Sequence, residues 1–507
     1  MYNTIVDSPN AICDTKTDDQ LQAPLEISID DAIDKIGTGR FQHQLLFAAG
    51  TCFMADSMEI MLLSFLTLVL KREWDWNDDN GVTADTKLAT ITAMMFIGAM
   101  VGTTVLGPLG DRIGRKPVLF YAAFIISFFG IITAFCNQFL SLLFVRFMVG
   151  FGIGGLTVPF DILAEFIPTD NRGKYLLLIE YYWTLGSMLV PVIAYYAIEI
   201  KDSWRLFVVL CALPCFISLI AGIKFVPESP RWLIMKGRNE EALDVLRRAA
   251  MVNGQDPREL FPHGCTIKAE DGEEEASFKE LFQPRWKRIT LILFVVWGAF
   301  ALCYYGSIMA ITRIFLESQD NDDNNGDDDV KASFDYSAIF ISSSAEIVGT
   351  ALAIATVDRI GRIPTIVGSY LAGGVTVFTM CFFANQFGRS TLVVISFVAR
   401  VCEMVASCTL WILTAELFST EIRSTGHSAA NAVARIGGFL SPYLVSGSAP
   451  LRIAGIVFLV VHFTAAFFTS RLPETKGVEL GKATDESDER RNEVSLSRYQ
   501  SSGAELI

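Results

Sequence analysis

The sequence predicts an all-α membrane protein in which twelve transmembrane helices form two pseudo-symmetric six-helix bundles. Three observations support this prediction. Apolar runs of a length that crosses a lipid bilayer recur twelve times, two charged loop motifs each occur twice, and positive residues fall in alternate loops. The first observation indicates membrane-spanning helices, the second indicates two related halves, and the third indicates a common orientation of those loops.

The apolar runs account for most of the chain. Of its 507 residues 51% are hydrophobic, and the mean hydropathy is +0.40. A helix of ~20 apolar residues crosses ~30 Å of hydrocarbon, so twelve such runs exclude a soluble protein. The predicted spans lie near residues 41–70, 88–108, 117–136, 139–164, 174–198, 204–226, 288–311, 335–357, 363–384, 390–415, 425–447 and 450–471.

Two motifs recur half a chain apart, after equivalent spans. Residues 107–116 read GPLGDRIGRK and residues 358–362 read DRIGR, while residues 227–229 read PES and residues 473–475 read PET. The arginines belong to alternate connections. Because positive residues are enriched in cytoplasmic loops, we expect these connections, the linker between the halves and both termini to face the cytoplasm.

These features divide the chain into five segments. We expect an N-terminal cytoplasmic tail over residues 1–40, six-helix bundles over residues 41–226 and 287–472, a cytoplasmic linker over residues 227–286, and a C-terminal cytoplasmic tail over residues 473–507.

The N-terminal tail contains a short helical pattern. Ile29, Ile33 and Ile36 are spaced to share one face of a helix, and Ser28 with Asp31 resembles a capping box at its start. We expect an amphipathic helix that lies on the membrane or on the helix bundle.

Several classes of function are excluded. The net charge of −14 lies largely in tails and loops, and no basic patch is visible, so nucleic acid is not an expected partner. Most cysteines lie within apolar runs and lack metal-ligand spacing, and we find no nucleophile–base pair or phosphate loop. We therefore expect no enzyme, no cofactor and no metal, and we expect His462 to pack within its span.

Charged residues within the spans are the strongest functional signal, because each costs at least ~2.5–3.5 kcal/mol at the centre of a lone helix. Asp56 and Glu59 lie three residues apart in span 1 and share a helical face, at a depth similar to that of Arg146 in span 4. Either these residues couple transport to protons or bind solute, or they form a permanent salt bridge. Asp56 is the better proton carrier and Glu59 the better solute contact.

The second half carries a different set of charges. Glu346 in span 8 and Arg400 in span 10 form either a buried ion pair or two parts of a solute clamp. Arg435 in span 11 is expected to neutralise Glu403 in span 10. Aromatic residues in spans 5 and 7 complete the candidate solute site, although most membrane aromatics only pack. The candidate solute-binding residues are Glu59, Tyr181, Trp183, Trp297, Tyr304, Tyr305, Glu346 and Arg400.

Several of these strings resemble those of the major facilitator superfamily. Residues 107–116 match its loop signature after span 2, and residues 146–152 (RFMVGFG) are similar to its span 4 signature. Residues 227–232 and 473–477 resemble the sugar-porter-type ends of its two bundles. This resemblance covers nearly the whole chain. It implies two six-helix bundles that expose a central site to one side of the membrane at a time.

A narrower resemblance concerns residues 29–42, 54–60 and 150–155. These are similar to the family of synaptic vesicle glycoprotein 2 and its relatives, which includes nicotinate permeases and plant organic cation or carnitine transporters. The long luminal loop of the vesicle glycoproteins is absent. The glutamine-rich contacts of sugar porters are also missing, which disfavours a hexose.

The resemblance implies roles for several positions of these motifs. Asp56 and Arg146 match the places where proton-coupled sugar porters have an acid and an arginine. A cytoplasmic charge latch is implied in each half. Its residues are Asp111, Arg112, Arg115, Glu165 and Arg172 in the first half, and Asp358, Arg359, Arg362, Glu416 and Arg423 in the second.

We therefore expect a monomeric secondary active transporter in a plasma or internal membrane. It is expected to carry a small organic solute, either a nicotinate-like carboxylate or an organic cation, by proton symport. A passive facilitator and a non-transporting membrane protein that binds a ligand are the alternatives.

Overall fold

The structure is a computed structural model that describes residues 26–74, 76, 83–262, 264–268, 278–322, 334–445 and 450–477. The ends of both predicted tails, residues 1–25 and 478–507, lie outside the described residues.

Each half contains six consecutive spans. In the first half they are α2 (Arg40–Glu73), α3 (Ala84–Ile113), α4 (Arg115–Thr133), α5 (Phe139–Ile153) continued by α6 (Thr157–Phe166), α7 (Thr169–Ala194) continued by a π-helical turn (Tyr195–Ile200), and α8 (Trp204–Phe225). In the second half they are α12 (Pro284–Asp322), α13 (Tyr336–Ile360), α14 (Arg362–Phe382), α15 (Arg389–Leu417), α16 (Thr420–Val445) and α17 (Leu451–Thr469).

Most of these helices can cross a membrane by length and composition. Within the described residues, eleven helical stretches meet that condition. The remaining span, α16, is more polar because it carries Arg423, His427, Asn431 and Arg435. Such a helix is stable within a bilayer only when its polar side chains face other helices.

The two halves have matching helix contacts. In the first half, α2 packs against α7 and α8, and α3 packs against α5; in the second half, α12 packs against α16 and α17, and α13 packs against α15. The largest contacts between the halves are two equivalent ones, α3 with α16 and α7 with α13. This correspondence confirms the predicted pseudo-symmetry of the fold.

Glycines allow α3 and α5 to approach closely. A Cβ atom on Gly98 would lie 2.1 Å from the Phe147 carbonyl oxygen, and one on Gly150 would lie 2.0 Å from the Met95 carbonyl oxygen. Any side chain at either position would therefore separate the helices, as is typical of small-residue interfaces in membranes.

The linker between the halves forms a small folded unit. It contains α9 (Pro230–Met235), α10 (Asn239–Val252), α11 (Pro257–Leu260) and β2 (Thr266–Lys268). A short strand from the N-terminal tail, β1 (Glu26–Ser28), pairs in parallel with β2. The linker lies at the end of the bundles where the α3–α4 and α13–α14 connections lie, which we call the linker side.

The short helix of the N-terminal tail, α1 (Ile29–Ile36), begins at Ser28, whose hydroxyl accepts a hydrogen bond from the Asp31 amide at 3.1 Å. Its three isoleucines are buried. The helix packs against α10 of the linker. The expectation that it would lie on the membrane or on the helix bundle is therefore corrected, and the buried face is explained by the linker.

The halves are in contact on the side opposite the linker. Thr312 of α12 donates a hydrogen bond to Ser64 of α2 at 3.1 Å, and the rings of Phe65 and Phe334 lie 4.9 Å apart. These contacts join the two halves beyond the middle of the spans.

Candidate functional site

The middle of the spans contains a polar network centred on Glu346 of α13. Its Oε1 accepts a hydrogen bond from the Tyr304 hydroxyl at 2.6 Å and lies 2.7 Å from Nη2 of Arg400. Its Oε2 accepts a hydrogen bond from the Ser187 hydroxyl at 2.8 Å. Trp183 adds a further link, because its Nε1 donates to the Tyr304 hydroxyl at 2.8 Å. We call these five residues the midplane network.

The midplane network joins the two halves. Trp183 and Ser187 lie one turn apart on α7 of the first half, and the other three residues lie on α12, α13 and α15 of the second half. Glu346 is completely buried and Arg400 is 2% exposed. Of the two arrangements that the sequence left open for Glu346 and Arg400, the ion pair is the one present in this conformation.

A second, electrostatic link between the halves involves Asp56 of α2. This carboxylate is 8% exposed, and its Oδ1 has no hydrogen-bond partner among the described residues. The positive charge that acts on it is Arg435 of α16, and both residues also act electrostatically on Tyr305. The expectation that Arg435 would neutralise Glu403 is therefore wrong, because α16 presents Arg435 to the first half.

Glu59 and Arg146 form an ion pair inside the first bundle. Glu59 Oε2 lies 2.8 Å from Arg146 Nη1, and Arg146 Nη2 donates to the Thr133 hydroxyl at 2.5 Å. Both charged side chains are at most 1% exposed. Although Asp56 and Glu59 are three residues apart on α2, they face different partners, and Arg146 pairs with Glu59 and not with Asp56.

Glu403 is paired within the second bundle. Its Oε1 lies 2.8 Å from Nε2 of His462 on α17, and His462 Nδ1 lies 2.8 Å from the Phe458 carbonyl oxygen. Both side chains are 1% exposed. His462 thus packs within its span, with a specific polar partner that the sequence analysis did not assign.

The predicted aromatic residues separate into two groups. Tyr304 and Trp183 belong to the midplane network, and the Tyr305 ring lies 4.9 Å from Phe96 of the first half. Trp297 instead donates from Nε1 to the Thr414 hydroxyl at 3.0 Å, within the second half. Tyr181 is half-buried and, among the described residues, takes part in no hydrogen bond or ring contact.

An aromatic cluster lies between the midplane network and the linker side. The Trp411 ring lies 5.1 Å from Trp297, 4.6 Å from His427 and 5.7 Å from Phe160. Phe160 lies 6.0 Å from Phe53. Since Phe53 and Phe160 belong to the first half and the other three residues belong to the second, this cluster also crosses between the halves.

Glu180 of α7 is a carboxylic residue that has no countercharge among the described residues. It lies one turn from Trp183 and two turns from Ser187, on the helix face that meets the second half. Within the described part of the chain, its carboxylate makes no hydrogen bond or ion pair. It lies on α7, which packs against α13 of the second half, so it is near the boundary between the halves.

On the linker side, the first half contains a cluster around Glu165 at the end of α6. Its carboxylate pairs with Arg115 and accepts a hydrogen bond from Ser229. The Asp111 carbonyl oxygen accepts a hydrogen bond from Trp232 Nε1 at 2.9 Å. Arg112 is exposed and joins none of these contacts, and the side chain of Arg172 is not among those described.

The second half repeats this cluster around Glu416 at the end of α15. Its carboxylate accepts two hydrogen bonds from Arg362, at 2.9 and 2.8 Å, and one from Thr475 at 2.5 Å. Asp358 lies 3.1 Å from Arg362. The Arg359 side chain is exposed, and Arg423 is half-buried near the start of α16.

Two carboxylates that the sequence analysis left without a role bind the loops themselves. Glu228 Oε1 accepts hydrogen bonds from the amides of Arg115 and Lys116, at 2.8 and 3.2 Å. Glu474 accepts from the amides of Arg362 and Ile363, both at 2.9 Å. The signal for this role was present, because both glutamates occupy the repeated Pro-Glu motif.

Ser187 was also missed. Its only signal is its position four residues after Trp183, on the same face of α7. No group of three or more His, Cys, Asp or Glu side chains that could hold a metal ion occurs among the described residues.

Comparisons with known proteins agree with this architecture. Residues 48–486 match the family model described as sugar (and other) transporter. Synaptic vesicle 2-related protein of Xenopus laevis is 29% identical over 465 residues, which cover 89% of this chain and 81% of that protein. Organic cation/carnitine transporter 7 of Arabidopsis thaliana is 28% identical over 506 residues, which cover 91% of this chain and 97% of that protein.

Solved structures share the fold. The inward open conformation of the xylose transporter XylE from E. coli superposes with a TM-score of 0.66 at 19% identity, covering 87% of this chain and 98% of XylE. Its partially occluded inward open conformation gives 0.64 at 20% identity, covering 87% and 99%. The family match and this fold confirm the resemblance that the loop motifs carried. The chain is a multi-pass membrane transporter, not an enzyme, and belongs to the sugar (and other) transporter family of the major facilitator superfamily.

Proposed function

We propose that this protein is a proton symporter for a small organic solute, working by alternating access with its linker side in the cytoplasm. The observation that carries the proposal is the midplane network, in which Trp183 and Ser187 of one half bind Tyr304 and Glu346 of the other. Relative rotation of the halves would break these bonds. A solute between the halves would then find unpaired polar groups from both of them.

The proposed proton carrier is Asp56. Its countercharge, Arg435, belongs to the opposite half, so movement of the halves would remove the charge that favours the ionised carboxylate. A buried carboxylate that loses its countercharge binds a proton more readily. Glu59 and Arg146 belong to the same half and would remain paired through such a movement, which supports a structural role for them.

The charge balance between the halves favours an organic cation as the solute. Arg400 is paired with Glu346, and Arg435 acts on Asp56. Glu180 has no such partner among the described residues, and Trp183 lies one turn from it on the same face of α7. Aromatic faces and a carboxylate together attract organic cations. The relative named organic cation/carnitine transporter supports this class, and a small carboxylate held by Arg400 is the alternative.

We further propose that the two linker-side clusters act as the cytoplasmic latch. Arg115 with Glu165, and Arg362 with Glu416, would hold each loop against the end of a neighbouring span. Each cluster lies within one half. It would therefore set the shape of the surface that one half presents to the other, while Asp111, Arg112, Arg172, Asp358, Arg359 and Arg423 are proposed to contribute charge to that surface.

The test uses purified protein in liposomes and a panel of labelled solutes that includes carnitine, tetraethylammonium and nicotinate. Uptake is measured with and without an inward proton gradient, and solute exchange is measured without a gradient. We expect the gradient to drive accumulation in the wild type. Asp56→Asn should abolish accumulation and retain exchange, because the solute site remains intact.

The exposed linker residue Asp244 provides a matched control, and Asp244→Asn should behave as the wild type. Uptake that ignores both the gradient and Asp56→Asn would identify a passive facilitator. Binding of a panel solute without uptake or exchange would identify the non-transporting alternative. Accumulation of nicotinate but neither cation would assign the carboxylate class.

A further inference from the structure

A groove of about 530 Å³ lies outside the bundle on the linker side, between the start of α12 and the end of α17. Both helices belong to the second half, so this groove is separate from the boundary between the halves where the proposed solute site lies. It is lined by Pro284, Lys287, Arg288, Leu291, Ile292, Phe467, Phe468 and Arg471.

Three cations line this groove and no carboxylate does. Lys287 and Arg288 lie in the first turns of α12, and Arg471 follows the end of α17 by two residues. All three side chains are exposed. None of them forms an ion pair with a described residue. Arg471 instead lies over the Phe467 ring, with its Cζ 4.7 Å from the ring centroid.

The apolar part of the groove points toward the middle of the spans. Leu291 lies one turn into α12 from Lys287, and Phe467 lies one turn into α17 from Arg471. Leu291 is 46% exposed and Phe467 is 54% exposed, on the outer surface of the bundle. The groove is therefore positive where the spans end and apolar where they enter the hydrocarbon.

A neighbouring segment has the character of a membrane boundary. The 3-10 turn Phe278–Phe282 precedes α12, and its two phenylalanines are exposed, with ring centroids 5.5 Å apart. Exposed aromatic rings beside cations at the end of a span are typical of the headgroup region of a bilayer. The groove thus lies at the depth of lipid headgroups on the linker side.

We propose that this groove binds one anionic phospholipid from the leaflet on the linker side. The phosphate and headgroup carboxylate would lie among Lys287, Arg288 and Arg471, and an acyl chain would lie along Leu291 and Phe467. Guanidinium groups bind phosphate through paired hydrogen bonds. Basic pockets between spans on the cytoplasmic side bind anionic headgroups in the same way. A free anion would leave the apolar wall uncovered.

The test is native mass spectrometry of the purified full-length protein with phosphatidylserine or phosphatidylcholine of identical acyl chains. We expect the wild type to retain one phosphatidylserine in preference to phosphatidylcholine. The double variant Arg288→Gln/Arg471→Gln should bind phosphatidylserine about 25-fold more weakly, since each cation near the surface contributes about fivefold. The variant Arg288→Lys/Arg471→Lys, which keeps both charges, should bind phosphatidylserine more tightly than Arg288→Gln/Arg471→Gln does.

A matched control removes the same two charges from exposed linker positions. Lys236→Gln/Arg248→Gln should retain phosphatidylserine as the wild type does. Equal retention by wild type and Arg288→Gln/Arg471→Gln would overturn the proposal, as would equal retention of the two lipids by the wild type. Competition by glycerophosphoserine, which lacks acyl chains, at concentrations similar to the lipid would also overturn it, because the site would then recognise a headgroup alone. The readout does not depend on transport.

Discussion

The carboxylate of Glu228 binds the backbone of Arg115, accepting a hydrogen bond from its amide at 2.8 Å. This amide begins α4, where the unpaired amides of a helix start carry partial positive charge. Glu474 makes the same contact with the amide of Arg362 at the start of α14. In each half, the segment that follows the sixth span is therefore fastened to the loop between the second and third spans.

Gly114 should tolerate no side chain in this arrangement. Its φ is +110°, and a Cβ atom there would lie 2.4 Å from Glu228 Oε2. We expect Gly114→Ala to lower the free energy of unfolding by about 1–3 kcal/mol, the usual cost of such backbone strain. Thermal unfolding in detergent measures it. Gly368→Ala is the control, because no atom lies within 4 Å of the position that its methyl group would occupy. Equal melting temperatures for both variants would contradict the prediction.

Glu346 and Arg400 should show strong energetic coupling. Neutralising one member leaves the other as a buried unpaired charge, so Glu346→Gln or Arg400→Gln alone should destabilise the protein by about 3–5 kcal/mol. The double variant Glu346→Gln/Arg400→Gln should be more stable than either single variant. A double-mutant cycle on thermal unfolding checks this. Additive effects of the two substitutions would show that the 2.7 Å contact contributes little.

Removal of the Tyr304 hydroxyl should destabilise the protein more than removal of the Tyr181 hydroxyl. It donates to Glu346 at 2.6 Å and accepts from Trp183, whereas the hydroxyl of Tyr181 has no such contact among the described residues. Tyr304→Phe should therefore weaken the contact between the halves by about 1–3 kcal/mol, because Glu346 and Trp183 each lose a hydrogen-bond partner. Tyr181→Phe should be near neutral. Thermal unfolding and solute uptake of both variants test the difference, and equal effects would contradict it.

Asp335 should make stability depend on acid pH. It precedes α13 and accepts hydrogen bonds from the Ala338 amide at 3.0 Å and the Ser337 hydroxyl at 2.7 Å, and it pairs with Arg389. Burial opposes ionisation, but the hydrogen bonds from Arg389, Ser337 and Ala338 outweigh it and lower the pKa of this carboxyl.

Because the pKa of Asp335 is lower in the folded state, its contribution is present above the unfolded value of about 3.9 and is lost as the pH falls through the folded value. Asp335→Ala should lower stability by about 1 kcal/mol at neutral pH, mainly through loss of the helix cap. The difference from wild type should shrink in acid. Melting temperatures between neutral and acid pH test this, with the exposed Asp244→Ala as control. A constant difference would refute the assignment.

The large-scale fold could be predicted because each of its sequence signals extends over many residues. A run of apolar residues identifies a span whichever helices pack against it. The repeated loop strings at residues 107–116 and 358–362 reveal the two halves. The partners of the buried charges could not be predicted as well. Asp56 could have faced Arg146 or Arg435, and only the rotation of α2 and α16 about their axes decides between them.

The pairing of Glu403 with His462 escaped prediction for a similar reason. Both residues lie in apolar spans, and periodicity places each on a helix face without naming the helix opposite. The pairing of β1 with β2 is harder still. Each strand has three residues and the two are far apart in sequence, so neither is long enough to show the alternation over four to eight residues that identifies a half-buried strand.

Asn253 and the pairing of β1 with β2 both attach the linker to the N-terminal part of the chain. Asn253 Oδ1 accepts from the Phe41 amide at 2.9 Å, and its Nδ2 donates to Gln42 Oε1 at 3.0 Å, so the end of α10 is fastened to the start of α2. With β1 and α1 held on the other side, the linker is attached to the first bundle at several points. In the proposed transport cycle, the first half would therefore move together with the linker, as a body larger than six helices. A partner that binds the linker, or a modification of it, would therefore act directly on the position of the first half.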